Sequence, residues 1–330
     1  MSRIAILGAG AWGTALALSL ARRGGHSVAL WSHSAALAQQ LHDHGENLPY
    51  LPGFTLPADV DVTSDLPAAI FEADILLFVT PSKHLRTVLA DIAPLLTRNQ
   101  ILVSASKGME EGTLLRMSQV MASMTENPVA VLSGPSFAQE VAAGFPTALV
   151  AASINPMVAQ TIQREFSSST LRVYTTDDVA GVELGGALKN VIALASGVVT
   201  GLNLGHNSAA ALITRGIAEI TRLAVACGGH RQTLAGLSGV GDLVLTCTGS
   251  LSRNRAVGIE LGRGRKLPEI LDGLHGKVAE GVRSTTAALG LAARYEVEMP
   301  ITEQMHAILH DSKSPQDAIR ELMARPGRDE

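Results

Sequence analysis

The feature that most constrains the fold is a glycine pattern close to the amino terminus. Residues 3–7 form a short apolar run, residues 8–13 read Gly-Ala-Gly-Ala-Trp-Gly, and an apolar helix pattern follows. Strand, tight turn and helix are the setting that a dinucleotide-binding fingerprint requires. We expect Gly8 to permit the turn, Gly10 to let the backbone approach a pyrophosphate, and Gly13 to allow close packing of the helix on the strand. The pyrophosphate would bind the first N–H groups of the helix.

The end of the second predicted strand indicates which dinucleotide is bound. Residues 27–31 form another apolar run, and Ser32, His33 and Ser34 follow it. NAD-binding domains carry Asp or Glu in this region, because a carboxylate bonds the ribose 2′-hydroxyl. A carboxylate would repel a 2′-phosphate, whereas hydroxyl and imidazole groups can hydrogen-bond it. We therefore expect NADP(H) to be preferred and NAD(H) to be the alternative, although His33 fits a surface residue without function equally well.

The amino-terminal residues have a second interpretation that bears on location. A basic residue, an apolar run and small residues at Ala15 and Ala17 also resemble a secretory signal peptide. Three spaced glycines disfavour the apolar helix of such a peptide, and cleavage would remove the first strand of the glycine motif. The cysteines, Cys227 and Cys247, are well separated, suit a reducing compartment and form no metal-ligand spacing. We therefore expect a cytoplasmic protein.

The predicted elements change in type near residue 178. Before it, strand-like runs alternate with helical segments, and the later runs lie at residues 74–80, 100–105, 128–133, 147–152 and 171–175. This alternation predicts an α/β fold, a Rossmann-type doubly wound and mostly parallel sheet, over residues 1–178. Residues 179–330 show almost only helical periodicity, with breaks that include residues 201–205 and Leu267-Pro268, which predicts an all-helical substrate-binding domain. The cleft between two such domains is the default ligand site.

The second domain opens with a helix pattern that carries one lysine, Lys189. A helical register places this lysine on a face of small residues, opposite an apolar packing stripe. The small face consists of Gly185, Lys189, Ala193, Ser196 and Thr200. Burying an unpaired ammonium is costly, so a lysine on such a face beside a nucleotide-binding domain indicates a catalytic group. A lysine that reaches water along its methylene stem fits the same pattern.

Composition and charge argue against two classes of partner. The formal net charge is −4 and aromatic residues make up 3% of the chain, so the sequence offers neither a basic balance nor stacking platforms for nucleic acid. No charged residue occurs between Lys189 and Arg215, a stretch long enough to span a membrane. The stretch also contains asparagines, a histidine and several glycines, so we expect two buried helices joined by a polar turn and no membrane insertion.

Two polar segments follow buried-looking strands of the first domain. Lys107, within residues 104–108, should emerge at the carboxyl end of its strand, where open α/β sheets bind ligands. Residues 134–140 follow another strand, and there Pro135 suits the first turn of a helix that Ser136 could cap. Each segment alone also fits an ordinary loop.

Two segments of the second domain indicate an anion site. Residues 236–243 place glycines close together, and Asp242 and Thr246 then share one helical face. Ser252 is an N-cap residue at the start of a helix that ends near Gly262, and the N–H groups beside Arg253 would bind an anion. A capped surface helix with two solvated arginines is the alternative.

Along nearly its whole length the chain resembles the bacterial NAD(P)-dependent glycerol-3-phosphate dehydrogenase family. The resemblance rests on separated motifs in the right order, at residues 8–13, 106–108, 134–138, 183–193, 207–216, 236–242, 252–254 and 279–281. It implies reversible reduction of dihydroxyacetone phosphate to sn-glycerol 3-phosphate for glycerophospholipid synthesis, without a metal, in a homodimer. Ser32 and His33 match no fixed family pattern.

The resemblance also assigns roles to residues. Lys189 matches the catalytic lysine, which would donate a proton to the alkoxide as hydride reaches the C2 carbonyl. Substrate-binding positions are matched by Lys107, Gly134, Ser136, Lys189, Asp242, Ser252, Arg253 and Asn254. Cofactor-binding positions are matched by Gly8, Gly10, Ala11, Trp12, Gly13, His33, Lys107, Ala138, Arg253, Val278 and Glu280.

Two other functions stay open at this point. A related β-hydroxyacid dehydrogenase would share the two-domain layout and the helix lysine but would act on a carboxylate substrate. A non-enzymatic NADP-binding sensor would need the glycine fingerprint but would have no use for Lys107, Lys189 and Arg253 together.

Overall fold

The computed structural model describes residues 2–273 and 279–327 and divides into two compact units, Met1–Glu183 and Leu184–Glu330. The strands of the first unit are β1 (Ser2–Leu7), β2 (His26–Trp31), β3 (Glu46–Asn47), β4 (Leu51–Thr55), β5 (Val60–Thr63), β6 (Ile75–Phe78), β7 (Ile101–Ser104), β8 (Val129–Ser133), β9 (Thr147–Ala152) and β10 (Leu171–Thr176). Its helices are α1 (Ala11–Arg23), α2 (Ala35–His44), α3 (Leu66–Ile70), α4 (Ser82–Ile92), α5 (Met117–Ala122), α6 (Ala138–Ala143) and α7 (Pro156–Phe166).

Eight of these strands form one sheet in the order β10-β9-β8-β7-β6-β1-β2-β5. Every neighbouring pair is parallel except β8 and β9, which are antiparallel. The predicted α/β fold with a doubly wound, mostly parallel sheet is therefore confirmed. The carboxyl ends of β1, β2, β6, β7 and β8 lie at one edge of the sheet, which is where the loops of the predicted site begin.

The central strands are apolar on both faces because helices cover both faces. Ile4 and Ile6 of β1 belong to one buried cluster, which includes residues of α1. Ala5 and Leu7 of the same strand belong to a second cluster, which includes Leu85 of α4. Alternate residues of a strand point to opposite faces, so one short apolar run supplies both cores.

Some elements of the first unit differ from expectation. The strand β5 at the edge of the sheet and the separate antiparallel hairpin of β3 and β4 were not predicted. The predicted strand over residues 74–80 is shorter in the structure, since β6 ends at Phe78. The runs at residues 128–133 and 147–152 are strands as predicted, within one residue at each end.

The described part of the second unit is helical, as predicted. Its helices are α8 (Val179–Gly201), which begins in the first unit, α9 (Gly205–Ala226), α10 (Arg231–Ala235), α11 (Asp242–Thr248), α12 (Arg253–Gly262), α13 (Leu267–Asp272), α14 (Glu280–Arg294), α15 (Pro300–His310) and α16 (Pro315–Met323). A π-helical turn, Leu237–Gly241, precedes α11. Leu267-Pro268 opens α13 rather than breaking a helix, because a proline in the first turn has no hydrogen bond to lose.

The two long helices of the charge-poor stretch are buried to different degrees. Residues 181–199 of α8 are all buried, so this helix, which is long and apolar enough to cross a membrane, is a core helix of the protein. The expectation of a second buried helix is wrong for the first half of α9, where residues 205–215 are exposed or half-buried. Burial on α9 begins at Gly216, since the preceding residues are mostly small or polar and contribute little apolar area.

Glycines explain much of the small-residue face of α8. A Cβ on Gly197 would overlap the carbonyl oxygen of Arg255 and would lie 2.7 Å from the Cα of Gly258. Gly201 and Gly262 meet in the same way one turn further along, where a Cβ on Gly201 would lie 3.0 Å from the Cα of Gly262. The backbones of α8 and α12 are therefore in direct contact, and side chains at these positions would separate them.

Candidate active site

The turn between β1 and α1 has the geometry of a pyrophosphate cradle. Gly8 has a φ of +130°, and a Cβ there would lie 2.8 Å from the carbonyl oxygen of Val79. A Cβ on Gly13 would overlap the carbonyl oxygen of Gly8, whereas the Cβ position of Gly10 has no atom within 4 Å. No side chain caps α1 and no acidic residue lies in its first turn, which includes Ala11, Trp12 and Gly13. The helix start is therefore open to an anion and fits a dinucleotide.

At the carboxyl end of β2, the two serines have structural partners of their own. The Ser32 hydroxyl is buried and donates to the carbonyl oxygen of Ser34, while the Ser34 hydroxyl caps α2 by accepting from Leu37 N. His33 is exposed, and its ring lies edge-on to Trp31 with centroids 6.1 Å apart. Ser34 is exposed as well, but its hydroxyl already caps α2, so of the three side chains proposed for the 2′-phosphate we favour the imidazole.

Lys107 and the loop after β8 lie close together at the carboxyl edge of the sheet. The Lys107 ammonium donates to the carbonyl oxygen of Gly134 over 3.3 Å, and the Ser136 hydroxyl donates to the same oxygen over 3.1 Å. Parallel pairing of β7 with β8 brings these segments together, although they are about 27 residues apart in the chain. The prediction that Ser136 caps a helix is wrong: α6 begins at Ala138, and Phe137 precedes it without a side-chain cap.

Lys189 is 7% exposed, which excludes the interpretation that its ammonium reaches water. The ammonium is paired with the carboxylate of Asp242, which is completely buried, and donates to the Thr246 hydroxyl over 2.8 Å. The Thr246 hydroxyl in turn donates to the carbonyl oxygen of Asp242. Asp242 and Thr246 therefore share one face of α11, as predicted, and that face holds the lysine.

The lysine and its carboxylate meet because α8 and the glycine segment before α11 pack closely. A Cβ on Gly185, one turn before Lys189, would overlap the carbonyl oxygen of Ser238, one turn before Asp242. The π-helical turn at Leu237–Gly241 widens the helix at this point, as π-turns often do beside functional groups. This backbone contact fixes the position along α8 and α11 at which the side chains of Lys189 and Asp242 meet.

Cys247 follows Thr246 and lies in the same buried surroundings. Burial raises the pKa of its thiol to about 12, and its carbonyl oxygen accepts a hydrogen bond of 2.9 Å from the Ser196 hydroxyl. This cysteine is therefore a packing residue rather than a nucleophile, because the thiolate form is the reactive one.

The start of α12 presents a charged group and open backbone donors. The Ser252 hydroxyl caps the helix by accepting from Arg255 N, as predicted, and Arg253 is exposed in the first turn. The Asn254 carboxamide donates to the Asn190 side chain over 3.0 Å and accepts from Gly281 N over 3.0 Å. Asn254 thus connects this helix start to the residue that follows Lys189 and to the first turn of α14.

The predicted residues form two groups, one in each unit. Gly8–Gly13, His33, Lys107, Gly134, Ser136 and Ala138 belong to the first, and Lys189, Asp242, Ser252, Arg253, Asn254 and Glu280 to the second. Glu280 is the first residue of α14, and Val278 lies outside the described residues. Asn190 and Thr246 were not among the residues predicted for the site, yet both lie in these hydrogen-bond networks. The sequence signal for Asn190 was a polar residue on a buried helix, and the signal for Thr246 was its four-residue spacing from Asp242.

In the described ranges, no group of three or more acidic, histidine or cysteine side chains could hold a metal.

Comparisons with known proteins agree over both units. The family model for the NAD-dependent glycerol-3-phosphate dehydrogenase N-terminus matches residues 3–159, and the model for the C-terminus of the same family matches residues 178–320. A protein of Acidobacterium capsulatum named glycerol-3-phosphate dehydrogenase (NAD(P)+) is 61% identical over the full length of both chains. Its namesake in Koribacter versatilis is 57% identical and covers 100% of this chain and 99% of its own.

A solved structure supports the same assignment at the level of the fold. The crystal structure of glycerol-3-phosphate dehydrogenase from Coxiella burnetii has a TM-score of 0.94 and 42% identity, and the match covers 98% of this chain and 99% of that one. With both family models and full-length relatives in agreement, the chain belongs to the NAD-dependent glycerol-3-phosphate dehydrogenase family.

Proposed function

We propose that this chain interconverts dihydroxyacetone phosphate and sn-glycerol 3-phosphate, with Lys189 as the proton donor to the C2 oxygen. The observation that carries the proposal is the buried ammonium of Lys189, held between Asp242 and Thr246. NAD(P)H, held at the start of α1, would supply the hydride. As charge develops on the C2 oxygen, the lysine gives it a proton and so neutralises the alkoxide. Asp242 and Thr246 orient the ammonium and stabilise its charge where little water reaches it.

The start of α12 and the loop that carries Lys107 bind the charged parts of the substrate. Arg253 and the open N–H groups of α12 hold the substrate phosphate, and the energy of that contact positions the distant carbonyl. Lys107, together with the Gly134 and Ser136 segment, adds a second positive charge beside the substrate. We assign the dinucleotide mainly to residues 1–178 and the substrate mainly to residues 179–330, with Lys107, Gly134 and Ser136 contributed to the substrate by the first range.

The cofactor preference rests on His33 and the start of α2. Family members use NAD(P), and this chain has no carboxylate among the residues that end β2. Because the Ser32 and Ser34 hydroxyls are engaged locally, we assign the 2′-phosphate to His33 and to the first N–H groups of α2. NADP(H) is therefore the preferred cofactor and NAD(H) the weaker one. The product serves glycerophospholipid synthesis in the cytoplasm, and the enzyme works as a homodimer.

A comparison of substrates tests this function. Initial rates of NADPH oxidation are measured with dihydroxyacetone phosphate, with dihydroxyacetone, and with a short 2-keto acid. We expect a high kcat/KM for the phosphorylated ketone alone. Dihydroxyacetone has no anionic group for the anion site of α12, and the carboxylate of a 2-keto acid is bonded directly to the carbonyl carbon, which is too close to reach that site while the carbonyl faces Lys189. A preference for the keto acid would assign the chain to β-hydroxyacid chemistry, and binding of NADPH without any oxidation would make it a sensor.

A further inference from the structure

The loop that carries Lys107 is anchored to the start of α4 on both sides of the lysine. The Ser106 hydroxyl donates to the carbonyl oxygen of Thr80, two residues before α4 begins. Gly108 has a φ of +138° and lies so close to Ser82 that a Cβ would be 2.8 Å from its hydroxyl oxygen. The backbone on either side of Lys107 is thus held, and the direction of the lysine depends on these contacts.

A third anchor is an ion pair between Glu110 and Arg86 of α4. Arg86 Nε lies 2.6 Å from Oε1 of Glu110, and Nη2 lies 2.9 Å from Oε2, so both carboxylate oxygens are bound by one guanidinium. The Thr113 hydroxyl donates to Oε2 over 2.6 Å, and Glu110 N donates to the carbonyl oxygen of Leu115. The hydrogen bonds to Arg86 hold the pKa of Glu110 below its usual value, so the carboxylate stays ionised near neutral pH.

The geometry of this pair does more than stabilise the fold. The side chains of Arg86 and Glu110 are 41% and 16% exposed, so water weakens the pair in part, although a two-point geometry retains more of its stabilisation than a single contact does. A two-point contact between planar groups does fix direction, however, because both groups must keep one orientation. Glu110 is three residues after Lys107, so a rotation of this part of the loop would displace the ammonium.

We propose that Arg86 and Glu110 are positioning residues for the reaction, which fix the loop so that Lys107 faces the Gly134 and Ser136 segment. The inference rests on the role that Lys107 has in the proposed function. Neither Arg86 nor Glu110 touches substrate in the proposed function, and both act through Lys107.

A double-mutant cycle with Lys107 tests the inference. Glu110→Gln keeps the shape of the side chain but removes its charge, and Arg86→Met removes the guanidinium but keeps most of the stem. Each should lower kcat/KM for dihydroxyacetone phosphate about tenfold, because small displacements of a group that polarises substrate cost one to two orders of magnitude. In a Lys107→Met background the same substitutions should cause no further loss, since the group that they position is absent.

Two controls separate positioning from general destabilisation. Arg320→Ala breaks an exposed ion pair with Asp317 on α16 and should change neither kcat/KM nor the melting temperature. Arg86→Lys retains a cation with one contact and should recover part of the loss caused by Arg86→Met.

Failure of this inference can be distinguished from failure of the proposed function. An equal loss with and without Lys107 would overturn the inference, and so would full activity of both Glu110→Gln and Arg86→Met beside an impaired Lys107→Met. Full activity of Lys107→Met itself would instead remove that lysine from the proposed function, and this inference would fall with it.

Discussion

The ammonium of Lys189 and the carboxylate of Asp242 form a buried ion pair between residues 53 positions apart in the chain. Lys189 is on a helix without another charged residue between positions 184 and 201, so its counter-ion has to come from elsewhere in the fold. Because Asp242 has no exposed surface, each member of the pair depends on the other for its charge to be tolerated.

Replacement of Lys189 should separate its catalytic role from its structural one. Lys189→Met leaves the Asp242 carboxylate buried without its cation, which should lower the free energy of unfolding by about 3–5 kcal/mol. Adding Asp242→Asn removes that charge and should restore most of the stability. The double variant should bind NADPH with near-normal affinity but should turn over about 10²–10⁴ times more slowly, the usual loss for a missing general acid. Near-normal kcat of the double variant would exclude Lys189 as the donor.

Arg253 should contribute to substrate affinity and its neighbour Arg255 should not. Arg253→Ala removes a charge-assisted hydrogen bond to phosphate, worth about 1.5–3 kcal/mol, and so should lower kcat/KM for dihydroxyacetone phosphate roughly ten- to a hundredfold. Arg255→Ala is the matched control, because it changes the net charge equally on the same helix while its guanidinium points to Thr200. Equal effects of the two substitutions on KM would indicate that the phosphate responds to overall charge rather than to Arg253.

The dinucleotide preference should respond to position 33. His33→Asp places a carboxylate where it repels a 2′-phosphate and can bond a ribose 2′-hydroxyl, so the ratio of kcat/KM for NADPH to that for NADH should fall at least about tenfold. His42→Asp introduces the same charge at an exposed position later on α2 and should change that ratio little. Steady-state kinetics with both cofactors would give the two ratios, and an unchanged ratio in His33→Asp would place the 2′-phosphate elsewhere.

His26 should make the first unit less stable in acid. Its side chain is buried, with Nε2 2.9 Å from the carbonyl oxygen of Glu165 and 2.7 Å from a nitrogen of Arg23. Burial, and to a lesser degree the Arg23 charge, lowers the pKa of His26 below 6.5, although the contacts with Glu165 oppose this. Between the folded-state pKa and 6.5 the unfolded chain binds more protons, so stability is complete above pH 6.5. It is lost as pH falls through that window, by at most about 1.4 kcal/mol per pH unit.

Both tryptophans, Trp12 and Trp31, lie in the first unit, so urea unfolding followed by their fluorescence measures the relevant transition. The free energy of unfolding of the wild-type protein should decline from pH 7.5 to pH 5.5 more steeply than that of His26→Gln. Parallel pH profiles would show that His26 takes up its proton equally well in the folded state. His310, whose pKa is also lowered, is present in both proteins and cancels from the difference.

Local patterns in the sequence predicted much of the first unit. The glycines at residues 8, 10 and 13 have fixed steric roles, and the structure shows the turn and the close packing that those roles require. The direction of β9 could not be predicted, because an apolar strand looks alike whether its neighbour is parallel or antiparallel. The four-residue strand β5 was missed because its Val-Asp-Val-Thr sequence is too short to distinguish an edge strand from a loop.

The sequence indicates the residues of the candidate site but could not show which of them contact one another. The helix register placed Asp242 and Thr246 on one face, yet only the fold could show that this face meets Lys189. The cap at Ser252 follows from local rules and is present, whereas Ser136 uses its hydroxyl on the carbonyl of Gly134 instead of a helix. The partner of Ser136 is also local, so a local rule does not decide between a helix cap and a nearby carbonyl, whereas the pairing of Lys189 with Asp242 depends on packing between distant segments.

The glycine contacts between α8 and α12 have an evolutionary consequence. The distance between α8, which carries Lys189, and α12, which begins at Arg253, is set by direct backbone contact at Gly197 and Gly258, with no side chain in between. Mutations around the reaction centre can therefore alter which molecules are accepted without altering that spacing. Related proteins that keep these glycines therefore keep the spacing of the two helices, and a new substrate preference has to arise from the side chains that the helices carry.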